Sequence, residues 1–498
     1  MPWDKHQGRD SAEIRARLDH PVIDGDGHTV EYQPILMEYV AQAAGKKVAQ
    51  RLAEVIRKGE GGSDGGSGGW YQCTPEERDD KRVYRPPFFM QPSKNTIDRA
   101  TTMLPGLFRQ RLDEFGTDFA IVYTSTFRFQ KLRDEELRRA GCRALNLMLS
   151  EMFSEHADRM TPAAVIPTTT PDEAIAELEF AVGELGMKAA MIASYIPRPV
   201  PKIAREAPEL ATYAQWIDPL AFGSAYDYDP LWAKFVELKV APTAHSTGFF
   251  GARTTTTNYV YNHIGNFGAA NEAFCKALFL GGVTRRFPTL KFAFLEGGVG
   301  WACSLYNDLF EHWQKRNPKA MRENLHPGNI DRDQLADLAA AHGGEKFASH
   351  VEAIRASGGD KKYAETEATM DEWTACPVQS PEEIRDLFQP NFYFGCEADD
   401  RMVSAAFNRT ANRLGARLKA IFSSDVGHWD VPDMAEVLAE SYELVEGGLI
   451  TEDDFRDFTF SHTAELHAGM NPDFFKDTVI EKDVAKLMAA GARTETVG

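Results

Sequence analysis

Short apolar runs recur along the chain, each ending in a polar tip and leading into residues with helical apolar spacing. Eight can be followed: residues 21–28 (PVIDGDGH), 117–124 (TDFAIVYT), 160–167, 187–194, 240–246, 290–298, 391–395 and 418–425. Ahead of the second run, Phe108, Leu112 and Phe115 mark one face of a helix that Gly116 closes. After the third come Thr170, Pro171, Asp172 and Glu173, where a hydroxyl cap, an early proline and acids start a helix. Ile175, Leu178 and Val182 form its inner stripe, and Gly186 ends it. The runs are mostly continuous rather than alternating, as strands buried on both faces require. Eight strand–helix units of this kind predict an α/β fold, a distorted (β/α)8 barrel.

Three stretches exceed a minimal barrel: 58–95, 198–230 and 317–390. The first opens with the Gly/Ser-rich residues 58–69, a flexible linker or a lid over the site. Strand-like runs resume after each stretch, so residues 1–498 read as one elaborated domain. A helical tail is expected at 433–498, with Ala435, Leu438, Tyr442 and Leu444 available for burial.

A net charge of −19 without a basic block excludes nucleic acid or an anionic membrane surface as the main partner. No apolar run approaches the roughly eighteen residues of a membrane span, and the first residues are polar. Cys73, Cys142, Cys275, Cys303, Cys376 and Cys396 form no CxxC pair and read as reduced thiols. The expected setting is cytoplasmic and the expected partner a small molecule. Phe127, Phe129, Phe249 and Phe250 hint at an aromatic ligand.

Barrel chemistry collects at the C-terminal ends of strands. The first run ends in Asp24, Asp26 and His28, the fifth in His245 and the sixth in Glu296. The eighth ends in Asp425, with His428 and Asp430 just after. Asp26 and His28 are two residues apart and project to one side, while Gly25 and Gly27 allow close approach. Taken singly, His245 reads more often as a satisfied buried histidine, and Asp425 after Ser423 and Ser424 could merely cap the following helix. Their convergence at the tips of three strands points to a divalent metal.

These motifs resemble the amidohydrolase superfamily: residues 22–28 (VIDGDGH), His245, residues 294–298 (FLEGG) and residues 422–428 (FSSDVGH). The nearest branch is the one containing aminocarboxymuconate-semialdehyde, resorcylate and carboxyvanillate decarboxylases. The resemblance implies a distorted barrel holding one divalent ion, with Asp26, His28, His245 and Asp425 as its ligands. Zinc is the first expectation, with manganese or iron as alternatives, and a homo-oligomer, a dimer first, is implied. The branch's strand-six histidine is replaced by Glu296. No lysine stands at the fourth tip to bridge two metals, so a mononuclear site is implied. Asp24 is expected to orient His28. His428 could position substrate or simply pack. Arg253, His263 and Arg401 are candidate substrate anchors, and His462 and His467 are expected to be structural.

The first functional expectation is a hydrolase in which a metal-activated water attacks a carbonyl while Asp425 and Glu296 move protons, with His428 as a further catalytic candidate. The alternative is a metal-dependent decarboxylase or hydratase on the same scaffold. A barrel kept for binding without turnover comes third.

Overall fold

Continuous burial along the predicted runs is what the strands of the computed structural model show. The structure describes residues 10–58, 69–87, 91–125, 129–246, 248, 253–357 and 367–495. Most of the glycine-rich run (59–68) lies outside them, as do Phe127, Phe249 and Phe250. The strands are β1 (Ile23–Thr29), β2 (Phe119–Thr124), β3 (Met160–Val165), β4 (Ala189–Ile192), β5 (Ile196–Pro199) and β6 (Gln215–Asp218). They continue with β7 (Pro242–Ala244), β8 (Phe292–Phe294), β9 (Phe392–Cys396) and β10 (Lys419–Phe422).

Eight of them form one sheet in the order β1-β2-β3-β4-β7-β8-β9-β10, with every neighbouring pair parallel. All residues of these strands are buried except Lys419. The two edges then meet. His28 N donates to Val426 O (2.8 Å) and Asp425 N to Asp26 O (3.1 Å), which nearly closes the sheet into a barrel. Helices flank it, so neither sheet face is left to water.

The helix start read at 170–173 forms, and the structure makes it a capping box in which Thr170 and Glu173 satisfy each other's backbone N–H groups. Glu173 also receives the buried Arg138 guanidinium (2.8 Å) from the helix Glu135–Phe153, tying two helix starts together. β5 and β6 make an antiparallel hairpin within and just before the 198–230 stretch. Tyr228 anchors this region by donating to Thr168 O (2.6 Å), just past β3. The 317–390 stretch carries short, mostly exposed helices such as Arg332–His342. In the tail, helices Val437–Glu446, His462–Ala468 and Glu481–Glu495 follow one another, with Leu438 and Leu444 buried. Among the described residues no helix is long and apolar enough to cross a membrane.

Candidate metal centre

The tip of β1 is bent by an irregularity. Its register against β2 shifts between Asp24 and Gly27, so β1 carries one residue more than its partner there. Gly25 packs where a Cβ would stand 3.1 Å from Phe422 O, which is why a larger residue cannot occupy the bend without displacing backbone. Asp24 accepts hydrogen bonds from Ser424 N (2.9 Å), Ser424 Oγ and Asp26 N (3.1 Å). It therefore braces the β1 tip against the turn after β10. Its hydrogen bonds run to Ser424 and Asp26, whereas the expectation set it behind His28.

Glu296 and Asp425 lie beyond the ends of β8 and β10, not on the strands. Both adopt left-handed backbone, with φ of 57° and 55°, a region that L-residues with side chains enter rarely. The turn is what aims each carboxylate inward. Gly427 beside them has φ 113°, and a Cβ there would sit 2.7 Å from His28 O. Only glycine fits.

Six side-chain contacts define the cluster. His28 Nε2 stands 3.5 Å from Asp26 Oδ1 and 3.1 Å from Asp425 Oδ1. His245 Nε2 stands 3.6 Å from Asp26 Oδ2 and 3.1 Å from Glu296 Oε2. His428 Nδ1 stands 2.7 Å from Asp425 Oδ1 and 3.6 Å from Glu296 Oε1. His428 also stacks on His28 with ring centroids 3.8 Å apart. Two sets of potential ligand atoms, each within 4.8 Å of one another, result: Asp26, His28 and His245; and His28, Glu296, Asp425 and His428.

The donors fit a divalent ion. Both Asp26 oxygens are buried and accept no hydrogen bond, a costly arrangement unless a cation satisfies them. An ion about 2.0–2.2 Å from its ligands holds neighbouring donor atoms about 3.0–3.5 Å apart, close to the spacings seen. The surroundings reinforce the point. Asp24, Asp26, Glu296, Glu397, Asp425 and Asp430 act on one another, and among the described residues no Arg or Lys ion-pairs with any of them.

Burial, then the charges of Glu296, Asp425 and Asp24, pushes the Asp26 carboxyl well above the usual range. Burial raises Asp24 to about 6 against the pull of its Ser424 bonds. Asp425 is likewise raised by burial, partly offset by His428. For His428 burial works downward, but Asp425 and Glu296 overcome it and hold the imidazole well above its ordinary value. Asp430 rises to about 8 through burial and the adjacent Asp425. Burial and the same anions push up Glu397 as well.

The other candidates divide. His263 lies at the rim in a chain of rings: 5.2 Å from Tyr259, 5.7 Å from Trp429 and 6.1 Å from Phe267, which itself meets His245 at 5.5 Å. Arg253 uses Nη2 on Ile264 O (3.2 Å) and Gly265 O (2.6 Å), and Arg401 is exposed. Neither forms an ion pair with the cluster among the described residues. His462 bonds Ala420 O (2.8 Å) and His467 stacks on Phe474, both buried apart from the cluster. Glu397 was missed in the sequence although it follows the tip of β9 directly, the same signal that marked Asp425. Phe267, Tyr259 and Trp429 were missed because nothing in an isolated aromatic residue says which ring it meets.

A family model described as Amidohydrolase matches residues 103–445, which takes in β2 to β10 but not Asp26 or His28. Among solved structures, 5-carboxyvanillate decarboxylase from Novosphingobium aromaticivorans, with bound manganese and 3-methoxy-4-hydroxy-5-nitrobenzoic acid, aligns at 13% identity and TM-score 0.50. That alignment covers 90% of this chain and 97% of the other. An amidohydrolase from Mycobacterium avium subsp. paratuberculosis aligns at 15% identity and TM-score 0.49, covering 90% and 98%. Dihydroxybenzoic acid decarboxylase from Polaromonas sp. JS666, with manganese and 2-nitroresorcinol, aligns at 14% and 0.48, covering 90% and 97%. At these identities the likeness is one of fold. No curated protein matches the chain.

Proposed function

The chain belongs to the amidohydrolase family, and from that premise we propose that it is a metal-dependent decarboxylase of an aromatic or similarly unsaturated acid. Asp26, His28, His245 and Asp425 would hold one divalent ion. With oxygen donors prominent and Glu296 adjacent, manganese suits the set better than the zinc first expected. Manganese is also the metal in the Novosphingobium decarboxylase structure. When bound, the ion would draw electron density from the substrate's oxygens and lower the cost of charge left on the ring.

The observation that carries the decarboxylase reading is the geometry of the buried acids: Asp425 stands 2.7 Å from His428 and 3.1 Å from His28 with Asp430 beside it, while Glu296 is turned onto two imidazoles. Burial raises both the Asp425 and Asp430 carboxyls, the latter to about 8, so Asp430 is placed to keep a proton near neutrality beside Asp425. Losing carbon dioxide leaves the electron pair of the broken bond on carbon, and that carbon needs a proton. Asp425 would deliver it, and Asp430 beside it would restore it. The rings of Phe267, His263, Trp429 and Tyr259 would hold a flat substrate.

Hydrolysis rests on Glu296 as a free base. Its two oxygens instead face His428 and His245, so it serves better as a brace for the imidazoles. Carbon dioxide release from 2-hydroxybenzoic acids, set beside cleavage of the corresponding 2-hydroxybenzamides in oxygen-18 water, separates the two readings. Carbon dioxide should appear from the acids while the amides stay intact. Heavy oxygen entering the acid cleaved from an amide, with no carbon dioxide from the acids, would restore the hydrolase.

A further inference from the structure

The aromatic wall of the site is supported from a distance. Residues 253–265, following β7, carry the helix Tyr259–His263, and Tyr259 and His263 pack on Trp429 at 6.1 and 5.7 Å. This loop has internal bonds, Thr255 N to Asn262 Oδ1 (2.6 Å) and Asn262 Nδ2 to Thr255 O (3.0 Å). Four further bonds come from residues 69–87, part of the first stretch that the sequence sets outside the barrel. Arg85 N donates to Thr255 O (3.1 Å), Asn262 Nδ2 to Arg85 O (3.0 Å), Thr256 Oγ1 to Asp79 Oδ1 (2.5 Å) and Trp70 Nε1 to Thr256 O (2.7 Å).

Trp70 is the hub of this strap. It is 6% exposed, and its ring has the Arg78 and Arg85 guanidinium groups 3.5 and 4.4 Å from its centroid. Arg78 Nε also donates to Trp70 O (2.9 Å). The helix Pro75–Lys81 that supplies Arg78 and Asp79 is fixed by a Thr74–Glu77 capping box. Trp70 thus grips Thr256, three residues ahead of Tyr259, while its own position is set by two cations and a capped helix. A surface loop has no need of a buried tryptophan bonded in this way unless its placement matters.

We propose that Trp70 is a positioning residue for substrate selection: through Thr256 it fixes Tyr259 and His263 and so sets which flat acids the site accepts. The proposal rests on the decarboxylase reading for its substrate class. It predicts an effect on binding rather than on bond breaking, because Trp70 touches no reacting atom.

The test uses the metal-loaded full chain with Trp70→Ala and Trp70→Phe. Salicylate serves as the calorimetric probe, and 2,6-dihydroxybenzoate and the larger 1-hydroxy-2-naphthoate as substrates for carbon dioxide release. Trp70→Ala should raise KM and the salicylate Kd about tenfold, hold kcat within about threefold and leave metal content unchanged. The preference between the two acids should narrow, and hydrogen exchange in 253–265 should quicken. Trp70→Phe, which keeps a ring but loses the N–H, should fall between, and it decides alone if the alanine variant does not fold. Unchanged salicylate affinity with faster exchange would overturn the proposal, leaving a purely structural strap, as would a fall in kcat at constant KM. If wild-type enzyme releases carbon dioxide from neither acid, the decarboxylase reading fails while salicylate affinity and exchange still judge Trp70. Wild-type enzyme that binds no salicylate overturns both.

Discussion

At Asp425 and Glu296 the backbone is held in a region that costs about 1–3 kcal/mol per residue; Asp425 faces His28 and His428, and Glu296 faces His245 and His428. Strain of that kind persists where the surrounding structure imposes it, and here Gly427 is part of what does so. Gly427→Ala would place a Cβ against His28 O and His28 Cβ, at 2.7 and 2.8 Å, and push the imidazole out of line. Manganese affinity should fall about 10–100-fold, as when a ligand's support is lost, and an unchanged titration would remove Gly427 from the design. Asp425→Asn keeps the shape but not the acid, so turnover should drop about 10²–10⁴-fold with the far-ultraviolet spectrum intact. A variant retaining most of its activity would refute the proton transfer proposed for Asp425.

Among the elements, the barrel strands were legible because both faces are buried and the apolar run is unbroken. The exact ends of β8 and β10 were not, since the left-handed turns after them leave no mark in hydrophobicity. The helix His462–Ala468 offers a test at this scale. Burial drives His467, stacked 4.4 Å from Phe474, down to about 3. In the unfolded chain the ring takes up its proton below about 6.5, whereas the folded one stays neutral. The unfolded state thus binds more protons in between, and stability rises with pH there. His467's contribution is complete above about 6.5 and is lost at about 1.4 kcal/mol per unit as pH falls toward 3. His467→Phe should flatten that limb. Urea melts at pH 7 and pH 5 would show it, and an equal pH dependence in variant and wild type would count against a neutral buried ring.

For the whole molecule, the cluster joins the first strand to the last, so an ion bound there favours the closed barrel. At a hundred times its Kd a ligand specific to the folded state adds about 2.7 kcal/mol. Manganese should therefore raise the melting temperature by several degrees and a chelator should lower it. His28→Ala, lacking a shared member of both ligand sets, should abolish the shift. A wild-type melt indifferent to metal and chelator would sink the metal centre altogether.

The alternation of strand and helix, the barrel class and the residues at its tips were legible from the chain alone. Each of these rests on local periodicity and on chain punctuation by Gly, Pro and caps. What those tips do to each other emerges with the folded barrel. Asp24 braces Ser424 across 400 residues, the strap at Trp70 reaches Thr256 across 186, and Glu296 lies between two imidazoles from different strand ends. Such contacts depend on sheet closure and on backbone turns with positive φ. Neither is encoded in the spacing of apolar residues, because a residue's hydrophobicity says that it is buried and not against what.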